Sequence, residues 1–237
     1  MNIEHRVDLV KDQESLTEED CLHFAVSDEF FLYSLRKPNN QNDRIWAESR
    51  EEVWDLLFSP QVKHPTCVGF YLCFTAKKLM WVIKERGESW DGDYFRETVL
   101  KKKTLPFLRN EENTVGTFEE VKYLHDMASC MRARATHDLL DEEGLDFFRG
   151  YGYGRWPGNS PDLNPAEHMG AVVKKKAEEM LARVRGERYS RDTLVRVLKK
   201  TLKSLENDTQ LFGNLLRSFR RRLDLVAEAD GKSIKKY

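Results

Sequence analysis

Apolar and polar positions alternate in the stretch CLHFAVSDEFFLY, so Leu22, Phe24, Val26, Phe30 and Leu32 share one face of a predicted strand. Asp28 falls on that same apolar face, where a carboxylate costs several kcal/mol unless it is paired, protonated or bound to a metal. RIWAES reads as a short second strand. TCVGFYLCFTAKKLMWVIKE reads as a hairpin turning at TAKK. WDGDYFRETVLKKKTLPFL reads as a helix with Asp91 or Asp93 near its start and Pro106 near its end. VKYLHDM is a short strand. SCMRARATHDLLDEEG is a helix with Ser129 as N-cap and Gly144 as its stop, and LDFF is another short strand. The Gly- and Tyr-rich RGYGYGR is a loop. It leads through WPGNSPDLNPAEHMG into a helix over EHMGAVVKKKAEEMLARV. From about Gly186 the pattern is helical twice more and ends in the basic tail KSIKKY. Three strands, a helix, a strand, a helix, a strand and a helix predict an α/β sandwich with a mixed sheet, followed by a helical extension.

Composition supports a folded chain. Of 237 residues, 40% are hydrophobic and 11% aromatic, enough for a real core and unlike a disordered segment. The formal net charge is −1, from 39 basic and 40 acidic residues, so only a local patch can mark a nucleic-acid partner. No apolar run approaches the roughly 20 residues of a membrane helix. The first 20 residues carry no apolar signal core, and the expectation is a soluble, non-secreted protein with no membrane partner. Cys21, Cys67, Cys73 and Cys130 have neither CxxC nor zinc-ligand spacing and are expected to be buried, reduced thiols.

Three acids stand out by position: Asp28 in the first strand, Asp126 at the exit of the fourth, and Glu167 in the first turn of the helix after the Pro-rich stretch. Taken alone, Asp126 caps the next segment, and Asn164-Pro165-Ala166-Glu167 is an N-cap, a first-turn proline and a capping-box glutamate. Taken together, the acids suit a two-metal site. Two divalent cations about 4 Å apart need carboxylate oxygens converging from separate elements, and oxygen donors favour Mg²⁺ or Mn²⁺ over zinc. Without metal, such clustered acids repel, and one is expected to hold a proton at a raised pKa. Gly170, Ala171 and Lys174 lie on the Glu167 face of the predicted helix, the small residues leaving room beside the acid and Lys174 free to meet a phosphate. A lysine within the run KKK is also simply solvated.

WPGNSPDLNPAEH closely resembles the third catalytic motif of the mariner superfamily of DDE transposases. AVSDEFFLY resembles the first motif and HDMASCMRARAT the second. GDYFRETVLKKKTLPFL and SFRRRLDLVAEADGKSIKKY resemble the family's helix after the hairpin and its C-terminus, so the likeness runs from about Arg6 through nearly the whole chain. The resemblance implies an RNase H-like domain with a mixed five-stranded sheet flanked by helices. It implies a remnant of linker over 1–20, the catalytic domain over 21–185 and a C-terminal helical extension over 186–237. It implies cleavage of DNA at transposon ends and transfer of the freed 3′-hydroxyls to target DNA, with Asp28, Asp126 and Glu167 as the triad holding two Mg²⁺ or Mn²⁺ ions. It further implies DNA as partner, a homodimer as an available assembly, and a nuclear location.

The sequence departs from the family in four respects. Asp126 and Glu167 are further apart than usual, with the excess at RGYGYGR. Met131 stands where the second motif usually has histidine, and Gly170 where the third has tryptophan. Only about 20 residues precede the first strand, too few for the helix-turn-helix units that read transposon ends, so DNA binding is expected to be weak, salt-sensitive and nearly blind to sequence. The long loop brings Arg149, Tyr151, Tyr153 and Arg155, whose phosphate-binding and stacking capacity suits a flap over a splayed strand near the metals, though a disordered surface insertion accounts for them first. The intact triad favours an enzyme. The missing recognition units and the lost histidine and tryptophan favour a domesticated, non-enzymatic DNA- or protein-binding module.

Overall fold

A computed structural model describes residues 3–34, 47–49, 51–53, 65–150, 152, 155–184 and 190–234. The central strand is β1 (Phe24–Tyr33). On one side it pairs antiparallel with β2 (Cys67–Phe74), which pairs antiparallel with β3 (Leu79–Ile83). On the other it runs parallel to β4 (Lys122–Leu124), itself parallel to β5 (Asp146–Phe147). The sheet is therefore mixed and five-stranded, in the order β3-β2-β1-β4-β5. The hairpin turns at Thr75–Lys78, as TAKK predicts, and Thr75 N donates to Lys78 O across the turn. Arg44–Trp46 of RIWAES lie outside the described residues, and Ala47–Ser49 form a bend rather than the expected strand.

The period-2 pattern of β1 sorts the core into two layers. Phe24, Val26, Phe30 and Leu32 face one layer, built by helices α4 (Pro165–Ala182), α5 (Arg191–Leu205) and α6 (Thr209–Glu228). Ala25 faces the other, with Tyr71, Cys73, Tyr123 and the apolar residues of helices α2 (Gly92–Leu108) and α3 (Arg134–Glu142). Helix α2 is composite: α-helical at Gly92–Tyr94, π-helical over Phe95–Thr104 and α-helical again at Leu105–Leu108. Asp91 caps its start by accepting from Tyr94 N.

Helix α3 (Arg134–Glu142) begins later than the sequence suggests, and Ser129 is not its cap. Residues 128–132 instead form a turn in which Ala128 O accepts from Met131 N and Arg132 N, burying Cys130 and Met131. Gly144 does end the segment, with a φ of 73° that favours glycine. Three of the four cysteines are buried, but Cys67, the first residue of β2, is exposed rather than buried as expected, and none is in a disulfide. No described helix is long and apolar enough to cross a membrane.

Both ends of the described chain dock on the α4 layer. Helix α1 (Ile3–Asp12) lies in the stretch read as linker, and its Leu9 joins the core of α5 and α6. Arg6, fully buried, donates to both oxygens of Asp162, at 2.8 Å each, and to Lys232 O. Ile234 N also donates to Asp162, and Arg222 donates to the Asp162 carbonyl. The aspartate of SPDLNP is thus the knot that ties the N-terminal helix and the chain after α6 to the loop before α4.

Candidate active site

Strand register places the first two acids side by side. Val26 pairs with Leu124 in the parallel β1–β4 ladder, so Asp28 and Asp126 each lie two residues further along adjacent strands. Asp28 points into the α4 layer, 6% exposed. Asp126 leaves β4 in a turn held by its own carboxylate, which accepts from Ala128 N at 2.7 Å. The preceding residue, His125, is fully buried and its Nδ1 contacts Asp126 O at 2.7 Å.

The Pro-rich stretch delivers the third acid. Trp156 is buried against Phe148 and stacks on Phe219 of α6, which anchors the start of the loop. Asp162 anchors its middle. Asn164 caps α4 by accepting from Ala166 N at 3.0 Å, and Pro165 fills the first helical position, where no N–H is needed. The expected capping-box hydrogen bond, from Asn164 N to the Glu167 carboxylate, does not form among the described residues, and Glu167 turns to the cavity instead. Asp28, Asp126 and Glu167 all line one cavity of about 540 Å³, together with Arg132 and Asn164.

The electrostatics are those of crowded acids. Burial first, and then the charges of Asp126 and Glu167, push the Asp28 carboxyl up to about 8. Burial also raises Asp126, against the hydrogen bond from Ala128. Burial raises Glu167, with Lys174 pulling the other way and Asp126 adding to the rise. A fourth acid, Glu29, is pushed up to about 7 by burial and then by Asp126, against Lys84. It stands on the opposite face of β1, where alternation reads as polar, so nothing in the pattern singled it out. Arg132 lies within the second motif, and no pattern singles it out either, because the turn that exposes it replaces a predicted helix.

Helix α4 also corrects the reading of its small residues. Gly170 does not leave room beside the acid. The ring of Phe30 fills that space, and a Cβ at Gly170 would collide with it. The same ring carries Lys174, whose Nζ stands 5.1 Å from its centroid. Lys174 is therefore a positioned cation near Glu167 rather than a freely solvated one. Arg149 does not line the cavity: it pairs with Asp141 and stacks over Phe147. Arg155 lines a second cavity of about 220 Å³ with His5, His137 and Arg132. Met127, Arg132, Trp156 and Gly158 line both cavities, so the two adjoin. Tyr151 and Tyr153 lie outside the described residues.

All donors at the site are oxygens, the set that suits Mg²⁺ or Mn²⁺. Among the described residues, however, no three histidine, cysteine or acidic side chains are gathered closely enough to hold a metal ion by themselves.

No protein-family model and no curated protein matches the chain. Solved structures do. The chain is similar to that of the Mos1 transposase paired-end complex with left transposon end, at 14% identity and a TM-score of 0.69, over 98% of this chain and 63% of that one. It is similar to the catalytic domain of Mos1 mariner transposase at 14% identity and a TM-score of 0.64, over 98% and 93% of the two chains. It is also similar to the Mos1 transposase catalytic domain with Raltegravir and Mg, at 14% identity and a TM-score of 0.64, over 98% and 96%. The fold is that of the Mos1 catalytic domain, RNase H-like. The chain thus spans under two thirds of the Mos1 chain in the paired-end complex and nearly all of its catalytic domain.

Proposed function

We propose that this chain is a mariner-type DDE domain that cuts DNA strands and transfers 3′-ends in a reaction dependent on divalent metal, acting in the nucleus. The observation that carries the reading is the convergence of Asp28, Asp126 and Glu167, from two strands and a helix start, on one cavity. A folded protein gains nothing in stability from gathering acids whose burial and mutual repulsion raise a pKa to about 8, so a cationic ligand is the natural account of their retention. Neighbours in the same fold include a Mos1 paired-end complex with Mn and a Mos1 strand transfer complex, which supports both the metal and the DNA substrate.

In this reading Asp28, Asp126 and Glu167 would hold the metal. When bound, it would supply an activated hydroxyl and stabilise the leaving oxygen. The protein's own contribution is placement. Asp28 is fixed by strand pairing and Glu167 by the cap and proline of α4. Lys174, held over Phe30, and Arg132 and Arg155, along the adjoining cavities, offer cations to the phosphates that flank the reacting one. Arg149, engaged by Asp141, is a weaker candidate for such a contact.

A second reading, a DNA- or protein-binding module without catalysis, is favoured by the absence, among the described residues, of a group of side chains closed tightly enough to hold a metal unaided. Nicking of supercoiled plasmid with Mn²⁺ or Mg²⁺ separates the two. The enzyme reading expects metal-dependent nicking that Asp28→Asn, Asp126→Asn and Glu167→Gln each reduce by at least about a hundredfold. Folded wild type that never nicks, or nicks equally well after Asp28→Asn, establishes the binding module.

A further inference from the structure

Asn164 uses its two amide atoms on two different elements. Oδ1 accepts from Ala166 N at 3.0 Å and caps α4, while Nδ2 donates to Asp28 Oδ2 at 3.1 Å. The side chain is buried, 2% exposed. Its orientation is fixed by this pair of contacts: flipping the amide would set N–H against N–H at the cap and oxygen against carboxylate oxygen at Asp28. Capping a helix needs only an oxygen, and serine, threonine or aspartate supplies one equally well. The N–H of Asn164 is therefore surplus to the cap, and it is spent on Asp28.

The consequence falls on the carboxylate. Asp28 Oδ1 accepts from Glu29 N at 2.7 Å, and Oδ2 accepts from Asn164. Each oxygen is held by one donor, one from its own strand and one from the helix start, so the carboxylate plane cannot rotate and its remaining lone pairs have fixed directions. Asn164 lies three residues before Glu167, in the turn that sets the direction of that side chain. One amide thus couples two acids that belong to different elements.

We infer that Asn164 is a positioning residue: its Nδ2–H holds the Asp28 carboxylate in the orientation in which its free lone pairs, with Glu167, receive a divalent cation. The inference rests on the metal-dependent reading above. It predicts that capping and metal affinity separate in Asn164→Ser. A serine Oγ at the cap accepts from the helix N–H but is too short to reach Asp28 as well.

The test is Mn²⁺ titration of the purified chain without DNA, free Mn²⁺ being followed by electron paramagnetic resonance, beside thermal unfolding in EDTA. Asn164→Ser is expected to melt within about 2 °C of wild type in EDTA, yet to bind Mn²⁺ at least about tenfold more weakly. Asn164→Ala is expected to lose both. If the serine variant fails to fold, Asn164→Thr, which caps as well, takes its place. Wild-type Mn²⁺ affinity in the serine or threonine variant, while Asp28→Asn loses binding, overturns the role of Asn164 and leaves the metal site standing. Equal Mn²⁺ binding by wild type and Asp28→Asn overturns the metal site, and the inference with it.

Discussion

Replacing Asp162 by alanine tests whether the loop before α4 is held by the two ends of the described chain. The carboxylate accepts both guanidinium N–H groups of Arg6, the Ile234 amide and the Ser233 hydroxyl. The Arg6 side chain is 0% exposed and that of Asp162 16%. Removing the acid therefore leaves a fully buried guanidinium without its charge partner, and breaking a buried pair from one side costs about 3–5 kcal/mol. The Lys232 carbonyl still accepts from Arg6, which argues for the lower part of that range, about 3–4 kcal/mol. For a chain of this size each kcal/mol moves the melting temperature by roughly 2–4 °C, so Asp162→Ala should melt roughly 6–16 °C below wild type. Circular dichroism at pH 7 in EDTA reads the transition. Adding Arg6→Met removes the stranded charge, so the double variant should be more stable than Asp162→Ala alone. A loss below about 1 kcal/mol, or a double variant no better than the single, refutes the knot. Burial raises the Asp162 pKa, but its hydrogen bonds to Arg6 and Ile234 outweigh burial, and the net shift is downward. The pair's contribution is thus present above the unfolded value, about 3.9, and lost as pH falls through the lower folded value.

Asp28 has the opposite sign. Its folded pKa of about 8 lies above the unfolded value, so between pH 4 and 8 the native state keeps a proton that the unfolded chain has released. Stability in EDTA should fall as pH rises across that window, and Asp28→Asn should flatten the slope; a slope unchanged by the substitution contradicts the assignment. Gly170→Ala forces a methyl into the Phe30 ring, at a cost of about 1–3 kcal/mol in urea unfolding; Phe30→Leu should recover part of it. Arg132→Glu should weaken duplex binding and lower the salt slope by about one, without sequence preference in either protein; an unchanged slope removes Arg132 from the DNA path.

Much of this molecule is local and was legible. Alternation in β1, the TAKK turn, Gly144 as a stop and Asn164-Pro165 as the start of α4 are each set by a few adjacent residues, because strand period, backbone φ and cap chemistry are short-range properties. Asp28 was legible for the same reason: a charge on an apolar face is visible in one strand. Where the sequence reading failed, the deciding contact came from elsewhere. Ser129 lost its cap role because Cys130 and Met131 are buried in the core layer with Ala25, Tyr71 and Tyr123, which holds residues 128–132 in a turn. Gly170 looked like open space along its own helix, and the ring that fills it belongs to β1. Glu29 sat on a face that reads as polar, and the Asp126 charge that helps raise its pKa comes from the end of the neighbouring strand β4. Residues 3–12 read as linker, and their partner Asp162 is 156 residues from Arg6. Local patterns are written in neighbouring residues, whereas burial, charge repulsion and ion pairing depend on which distant segment packs against them, and only the tertiary structure brings those segments together.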